Sequence, residues 1–250
     1  MLTAGAYAAF ALSRSLGLPF ILAIILAVIF GAILGVIIDQ IAYKPLRRRQ
    51  ANNLAYLISS LGIFIFCQSL IQLIFGAEIK TLRFGLIQKG YEFFGAIITS
   101  TQIIILATAL ALLILLHLFL KKSRLGQAMR AVADDQEAAK LCGIKPERII
   151  TLTFALGSGL AAAAGILIGL EQNLEPAMGL NLILKGLTAS VVGGIGSVPG
   201  GLLGGYIIGL AENFGIWFLP SGYKDAISFA ILILFLLFRP NGILGVKRRI

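Results

Sequence analysis

The residues able to do chemistry in this sequence are few, and most stand in apolar surroundings. Glu171, Glu175, Lys185, Glu212 and His117 lie within or beside long apolar runs. A charge in such a place is costly to hold without water or a partner, so each is a functional candidate. Glu171 and Glu175 fit the outer mouth of a span, where water keeps a carboxylate ionised. His117 fits an interfacial position better than a proton-carrying one. A salt bridge between Lys185 and Glu212 is open to them, although no pattern requires it. Cys67 and Cys142 have neither disulfide-framework nor metal-ligand spacing, which makes a reduced cytosolic face the default. No group of His, Cys and carboxylates has ligand spacing, and no nucleophile motif is present. The glycine-rich stretch from Gly193 to Gly209 is not a nucleotide loop. It contains no G-x-x-x-x-G-K-[ST], and Gly194-Ile195-Gly196 is followed by Ser-Val-Pro rather than by a third glycine.

The elements that must position these residues are set by composition. Of 250 residues, 58% are hydrophobic and 13% are charged, and the mean hydropathy is +0.96. Soluble domains carry about 25% charged residues, so lipid must solvate much of this chain. The apolar runs are spread along its whole length and leave no room for a separate soluble domain. A net charge of +10 could suit nucleic acid, but the charges bunch in short segments between apolar runs, which points away from it.

A spanning helix needs about 20 mostly apolar residues, because its backbone polar groups must be satisfied internally. Pro19 to Asp39, Leu54 to Gly76, Ile97 to Leu120 and Ile149 to Leu170 fit. Two linked stretches follow, Leu182 to Ile195 and Gly200 to Trp217, then Ala226 to Phe238. The first of the linked pair is short enough to be a broken or partial span. Met1 to Leu12 is too short to cross and reads as the end of a helix whose beginning is missing. It has no basic start and is interrupted at Gly5, Ser13 and Arg14, unlike a signal peptide. Short loops rich in Lys and Arg mark the cytoplasm. Tyr43 to Arg49, Lys121 to Arg148 and Arg239 to Arg249 qualify, and an even number of apolar stretches separates them. One topology therefore satisfies all three: the Glu78 to Glu92 loop lies outside and the C-terminus is cytoplasmic.

Lys121 to Arg148 is the longest polar segment. Asp134 is placed as an N-cap, with Glu137 three residues on to complete a capping box. Gly143 suits a helix C′ position, and Pro146 keeps that helix from resuming. These signals predict a short helix over 135–142, preceded by a turn or two over 125–132. The small residues Ala128 and Ala131 offer a surface that another protein can approach closely. An ordinary solvated connector is the alternative reading. In the glycine-rich stretch, Gly196, Gly200 and Gly204 recur every four residues, as do Gly201, Gly205 and Gly209. Such spacing lets membrane helices pack backbone to backbone. Gly194 and Pro199, among the same residues, are expected to break the helix, and broken helices often line a transport path.

Four phrases of the sequence resemble one family. GQAMRAVADDQEAAKLCGI is similar to the cytoplasmic loop of importer-type ABC permeases, in the form carried by branched-chain amino acid permeases of the LivH/LivM type, on Gly126, Arg130, Ala131, Ala138, Gly143 and Ile144. VVGGIGSVPGGLLGGYIIGLAE, Val191 to Glu212, resembles another segment of that family and lies nearer its LivH member. LTAGAYAAF (Leu2 to Phe10) and FRPNGILG (Phe238 to Gly245) also match. One departure is that the family has a further helix ahead of the first phrase, which here opens the chain.

The resemblance implies an all-α, polytopic integral membrane protein of about six to eight spanning or partial helices. Residues 1–250 would form a single permease domain with its coupling loop at about 121–148. It further implies that this loop docks on an ATPase, carried by Gly126, Arg130, Ala131, Asp134, Glu137, Ala138, Gly143 and Ile144. Helix packing or the solute path would fall to Gly194, Gly196, Pro199, Gly200, Gly204 and Glu212. The chain would catalyse no chemistry and hold no cofactor, ATP being bound by separate ATPase subunits. Its other partners would be a second, LivM-type permease, an extracytoplasmic solute-binding protein and lipid, in the inner membrane, with branched-chain amino acids or related small solutes as cargo. A stand-alone secondary transporter or channel is the alternative.

Overall fold

Among the described residues of the computed structural model, 1–16, 19–82, 90–93, 96–218, 220–239 and 242–245, four helical segments are long and apolar enough to cross a bilayer. They are Ile21–Arg48, Asn53–Phe75, Ser100–Lys122 and Pro146–Glu171. A further pair, α9 (Met178–Gly193) and α10 (Val198–Phe218), passes the same test together but is bent by 113°. Shorter helices complete the set: α1 (Leu2–Leu16), α6 (Arg124–Asp134), α7 (Gln136–Leu141) and α11 (Lys224–Phe238). The polytopic helical class expected from the sequence is therefore what the chain forms. It gains one element that hydropathy does not signal, an antiparallel hairpin of β1 (Gly90–Phe93) and β2 (Ala96–Thr99). The chain divides into two compact units, Met1–Gly179 and Leu180–Ile250.

In the first unit the span Ile21–Arg48 is three pieces in series: α2 (Phe20–Ile38), a π-helical turn (Asp39–Tyr43) and α3 (Lys44–Arg48). The basic segment from Tyr43, expected as a loop, is thus mostly helix. Pro45 does not stop it: it stands at the start of α3, directly after the π-helical turn. Along α2 the buried positions are Ala23, Ala27, Gly31, Gly35 and then Asp39, every fourth residue. The bulky Ile and Leu side chains on its other faces are exposed, as lipid contact requires. That narrow stripe packs on α8 (Pro146–Glu171). A Cβ at Gly31 would stand 2.5 Å from Ala162 Cβ, and one at Gly35 would stand 2.9 Å from the Phe154 carbonyl oxygen. The helices touch backbone to backbone, which is how apolar helices gain contact energy in lipid. Helix α1 joins them where Gly5 meets Ala162.

The remaining spans are α4 (Asn53–Phe75) and α5 (Ser100–Lys122). Helix α5 begins later than the apolar run from Ile97, because residues to Thr99 pair in the hairpin. Thr99 then caps the helix reciprocally with Gln102. Where α8 ends, Lys80 and Leu174 exchange backbone hydrogen bonds of 3.0 and 2.7 Å. The Tyr7 hydroxyl donates to the Leu174 carbonyl beside a core of Ala6, Ile71 and Leu82. Residues 83–89 of the expected outer loop lie outside the described residues, as do Pro240, Asn241 and the basic end at 246–250.

In the second unit the bend between α9 and α10 is made by Gly194 and Gly196, at φ +110° and +91°. Pro199, expected to break the helix, instead sits in the first turn of α10, where its fixed φ favours a helix start. Gly200 and Gly204 do pack closely. A Cβ on Gly204 would run into the Ala189 carbonyl oxygen and stand 2.6 Å from Gly193 N. Gly196 takes no part in that contact, since it lies in the turn, and Gly201 and Gly209 face open space. The tail phrase has a clear local role. Ile243 and Leu244 N–H groups donate to the Val192 and Gly193 carbonyls, at 3.0 and 2.9 Å, satisfying the end of α9.

Candidate functional site: the loop between α5 and α8

The polar loop is a helical hairpin with its own small core. Met129, Val132, Ala139 and Ile149 are buried together, with Phe119, Leu120, Ala128, Ala131, Ile144 and Ile150 packed around them. This core holds α6 and α7 against the end of α5 and the beginning of α8. Helix α6 is three turns long rather than the one or two expected. Ser123 caps its start by accepting from Gly126 N at 2.9 Å. Gly126 is required by proximity: a Cβ there would lie 2.5 Å from the Phe119 carbonyl oxygen. The exposed Arg130 reaches back and donates to the Leu120 carbonyl at 2.5 Å, tying α6 to one of the unpaired carbonyls that end α5.

The cap of α7 differs from expectation by one residue. Asp134 ends α6, whereas Asp135 turns extended, at φ −151° and ψ 114°, and accepts from Glu137 N at 2.8 Å and Ala138 N at 3.1 Å. Glu137 is then two residues beyond the cap instead of three, so no capping box forms with it. Adjacent aspartates give the sequence no way to choose between them. The other end is as read. Gly143 stands at C′ with φ +80°, its N–H donates to the Lys140 carbonyl, and Ile144 N–H donates to the Ala139 carbonyl. That bond pair is a Schellman motif, whose hydrophobic contact is Ile144 against the Ala139 core. Pro146 keeps α7 from running on, and it also opens α8 from that helix's first turn.

The loop's outer surface is mostly polar, and two large apolar side chains are exposed on it, Leu125 at 45% and, far more fully, Leu141. Leu141, the last residue of α7, is 90% exposed, beside exposed Ala138 and Cys142. Sequence reading passed over it, because one Leu in a polar segment carries no periodicity. Its signal was that Met129, Val132 and Ile144 are needed for the loop's own core, which leaves only Leu125 and Leu141 among its large apolar residues outside that core.

The family is decided by comparison with known proteins. Residues 1–236 match the model of the family described as "Branched-chain amino acid transport system / permease component". The chain belongs to that family. This permease is 42% identical over 213 residues to the high-affinity branched-chain amino acid transport system permease protein BraD of Pseudomonas aeruginosa, covering 83% of this chain and 69% of BraD. It is 41% identical to LivH of Escherichia coli K12, over 83% of this chain and 68% of LivH. It is 33% identical to a probable LivH of Methanocaldococcus jannaschii, over 84% and 70% of the two chains. No solved structure matches it significantly. It is a multi-pass membrane permease, with homologues that are transport subunits.

Of the remaining candidates in the permease, Lys185 and Glu212 do meet. Lys185 Nζ lies 3.1 Å from Glu212 Oε1 and 3.2 Å from Asp225 Oδ1. Ser228 donates to the same Glu212 carboxylate. Glu171 accepts from Gln102 at 2.9 Å, and Glu175 is exposed. Among the described residues no group of His, Cys, Asp and Glu could hold a metal ion. Sequence reasoning missed Asp39, which is fully buried. Arg47 meets its carboxylate with two hydrogen bonds, 2.6 and 3.1 Å, and Thr151 of α8 donates to it at 2.6 Å. The signal was present. Asp39 continues the four-residue stripe of Gly31 and Gly35, which marks it as facing inward.

Proposed function

We propose that this chain is the membrane-spanning subunit of an ATP-binding-cassette importer. It passes leucine, isoleucine, valine or related small solutes inward across the cytoplasmic membrane. It catalyses no reaction and binds no nucleotide. Partner ATPase subunits hydrolyse ATP, a second permease of LivM type completes the path, and an extracytoplasmic binding protein delivers the solute. The segment 121–148 faces the cytoplasm, as does the C-terminus, and serves as the docking element.

The observation that carries this reading is Leu141 at 90% exposure, the most exposed large apolar side chain of a hairpin that has its own core. Every strong apolar residue of the loop apart from this side chain and Leu125 is at least partly covered. Burying a leucine in a partner's groove contributes about 1.5–3 kcal/mol, a sufficient anchor for a short helix whose flanks are polar. Gly126, Arg130, Gly143 and Ile144 shape the hairpin that presents it, and Asp134, Glu137 and Ala138 make up its surface. The basic segments Lys44–Arg49 and Lys121–Arg148 support the cytoplasmic placement.

Affinity purification of the tagged chain from gently solubilised membranes tests this. An ATPase subunit and a second permease are expected to accompany it. Leu141→Asp should lose the ATPase while the chain still inserts and runs monodisperse. Recovery of the chain alone, stable and monodisperse, would contradict the proposal.

A further inference from the structure

The first two turns of α8 are held from two directions. Ile149 and Ile150 belong to the core of the α6–α7 hairpin. Glu147 sits 3.9 Å from Lys44 and 3.8 Å from Arg48, Phe154 lies against Tyr43, and Thr151 donates to Asp39. The start of α8 is therefore where the loop and the α2–α3 span meet.

Within that meeting point, the bond from Thr151 to Asp39 is unlike the others. It is short, it crosses between helices, and its acceptor is a fully buried carboxylate. The π-helical turn that starts at Asp39 brings Arg47, eight residues on, back to the same carboxylate. Wide turns of this kind are found frequently at functional sites. Stability alone does not account for the arrangement. A buried ion pair seldom stabilises more than apolar residues of the same volume would. This pair is also incompletely satisfied, because Arg47 Nε is buried with no hydrogen-bond partner among the described residues. What a carboxylate bonded from both sides does provide is a fixed register. Asp39 cannot slide along α8 without breaking its bond to Thr151, whereas the small residues above it in the stripe present only smooth contact.

We propose that Asp39, with Arg47 and Thr151, is the joint that makes α2 follow α8 when the cytoplasmic hairpin is moved. These are positioning residues: they touch no solute and act through the two helices they connect. The inference rests on the docking role proposed for the hairpin. Displacement of α7 reaches α8 through the Ile149 core. It then reaches α2 through one hydroxyl–carboxylate bond at the end of a backbone-to-backbone helix pair.

The test uses the complete transporter in proteoliposomes, with ATP hydrolysis and radiolabelled leucine uptake measured on the same sample. Thr151→Val removes the cross-helix bond and leaves the Asp39–Arg47 pair intact. Subunit association and basal hydrolysis should stay at wild-type levels while leucine moved per ATP falls about five-fold or more. Thr151→Ser, which keeps the hydroxyl, should restore the ratio. Thr153→Val is the control, because the Thr153 hydroxyl donates within its own helix, to the Ile149 carbonyl, and should leave the ratio unchanged. An unchanged ratio in Thr151→Val, or an equal fall in Thr153→Val, would overturn the joint. Failure of ATPase subunits to assemble with the wild-type chain would overturn the docking role itself, and is recognised before any variant is made.

Discussion

Lys185 of α9 bridges Glu212 of α10 and Asp225 of α11, at 3.1 and 3.2 Å, so one ammonium group ties together the three helices of the second unit. Glu212 is nearly buried, and Ser228 donates to its carboxylate from a second side. Removing the cation leaves the nearly buried Glu212 carboxylate without its ion-pair partner. Lys185→Met should destabilise this unit by about 1–2 kcal/mol, less than a fully buried pair because Lys185 is partly exposed. Lys185→Met with Glu212→Leu should recover part of the loss. Thermal melting of the detergent-solubilised chain measures both, and equal melting temperatures for the single variant and wild type would contradict it.

The glycines of α10 are not equivalent. Gly204→Val places a side chain against the Ala189 carbonyl and Gly193. Overpacking of this kind costs about 1–3 kcal/mol, a drop in Tm of roughly 2–12 °C for a chain of this length. Gly201→Ala and Gly209→Ala meet nothing within 4 Å and should leave Tm unchanged or slightly raised. Equal effects in the two sets would show that α9 and α10 do not pack through Gly204.

Asp135 and Asp134 make a sharper pair. Asp135→Ala removes two cap hydrogen bonds from α7 and should cost about 1 kcal/mol of local stability. Asp134→Ala should cost little. Amide hydrogen exchange of Glu137 and Ala138 reads this directly, and faster exchange in Asp134→Ala than in Asp135→Ala would contradict the assignment.

This contrast also shows where the sequence was legible. The spans could be read because about 20 apolar residues in a row allow few other structures. Gly143 could be read because a C′ position needs positive φ. The cap slipped because two identical residues stand side by side, and only the backbone turn at Asp135 separates them. The break before α10 was expected of Pro199 and its glycines together, and only the glycines make it, through positive φ at Gly194 and Gly196; a proline after a break is also a good helix start. Asp39 was hidden for another reason. Its partner lies eight residues away across a π-helical turn, and hydropathy had already assigned that basic segment to a loop.

The tail gives a fourth prediction. Gly242 has φ +69°, and its Cα is so close to Gly194 that a Cβ would lie 2.5 Å from Gly194 N. Gly242→Val should expel the tail and free the Val192 and Gly193 carbonyls. Amide hydrogen exchange at Ile243 and Leu244, whose N–H groups make those bonds, should then become several-fold faster, whereas an unchanged exchange rate would mean that the tail does not cap α9.

The central claim is that partner ATPases drive transport through this chain. Leucine uptake should be followed in cells expressing the complete transporter, once with the proton gradient collapsed and ATP maintained, and once with ATP depleted. Uptake that persists without the gradient and stops without ATP is the predicted result. Uptake that stops when the gradient collapses while ATP remains would contradict the account and assign the chain to gradient-driven transport.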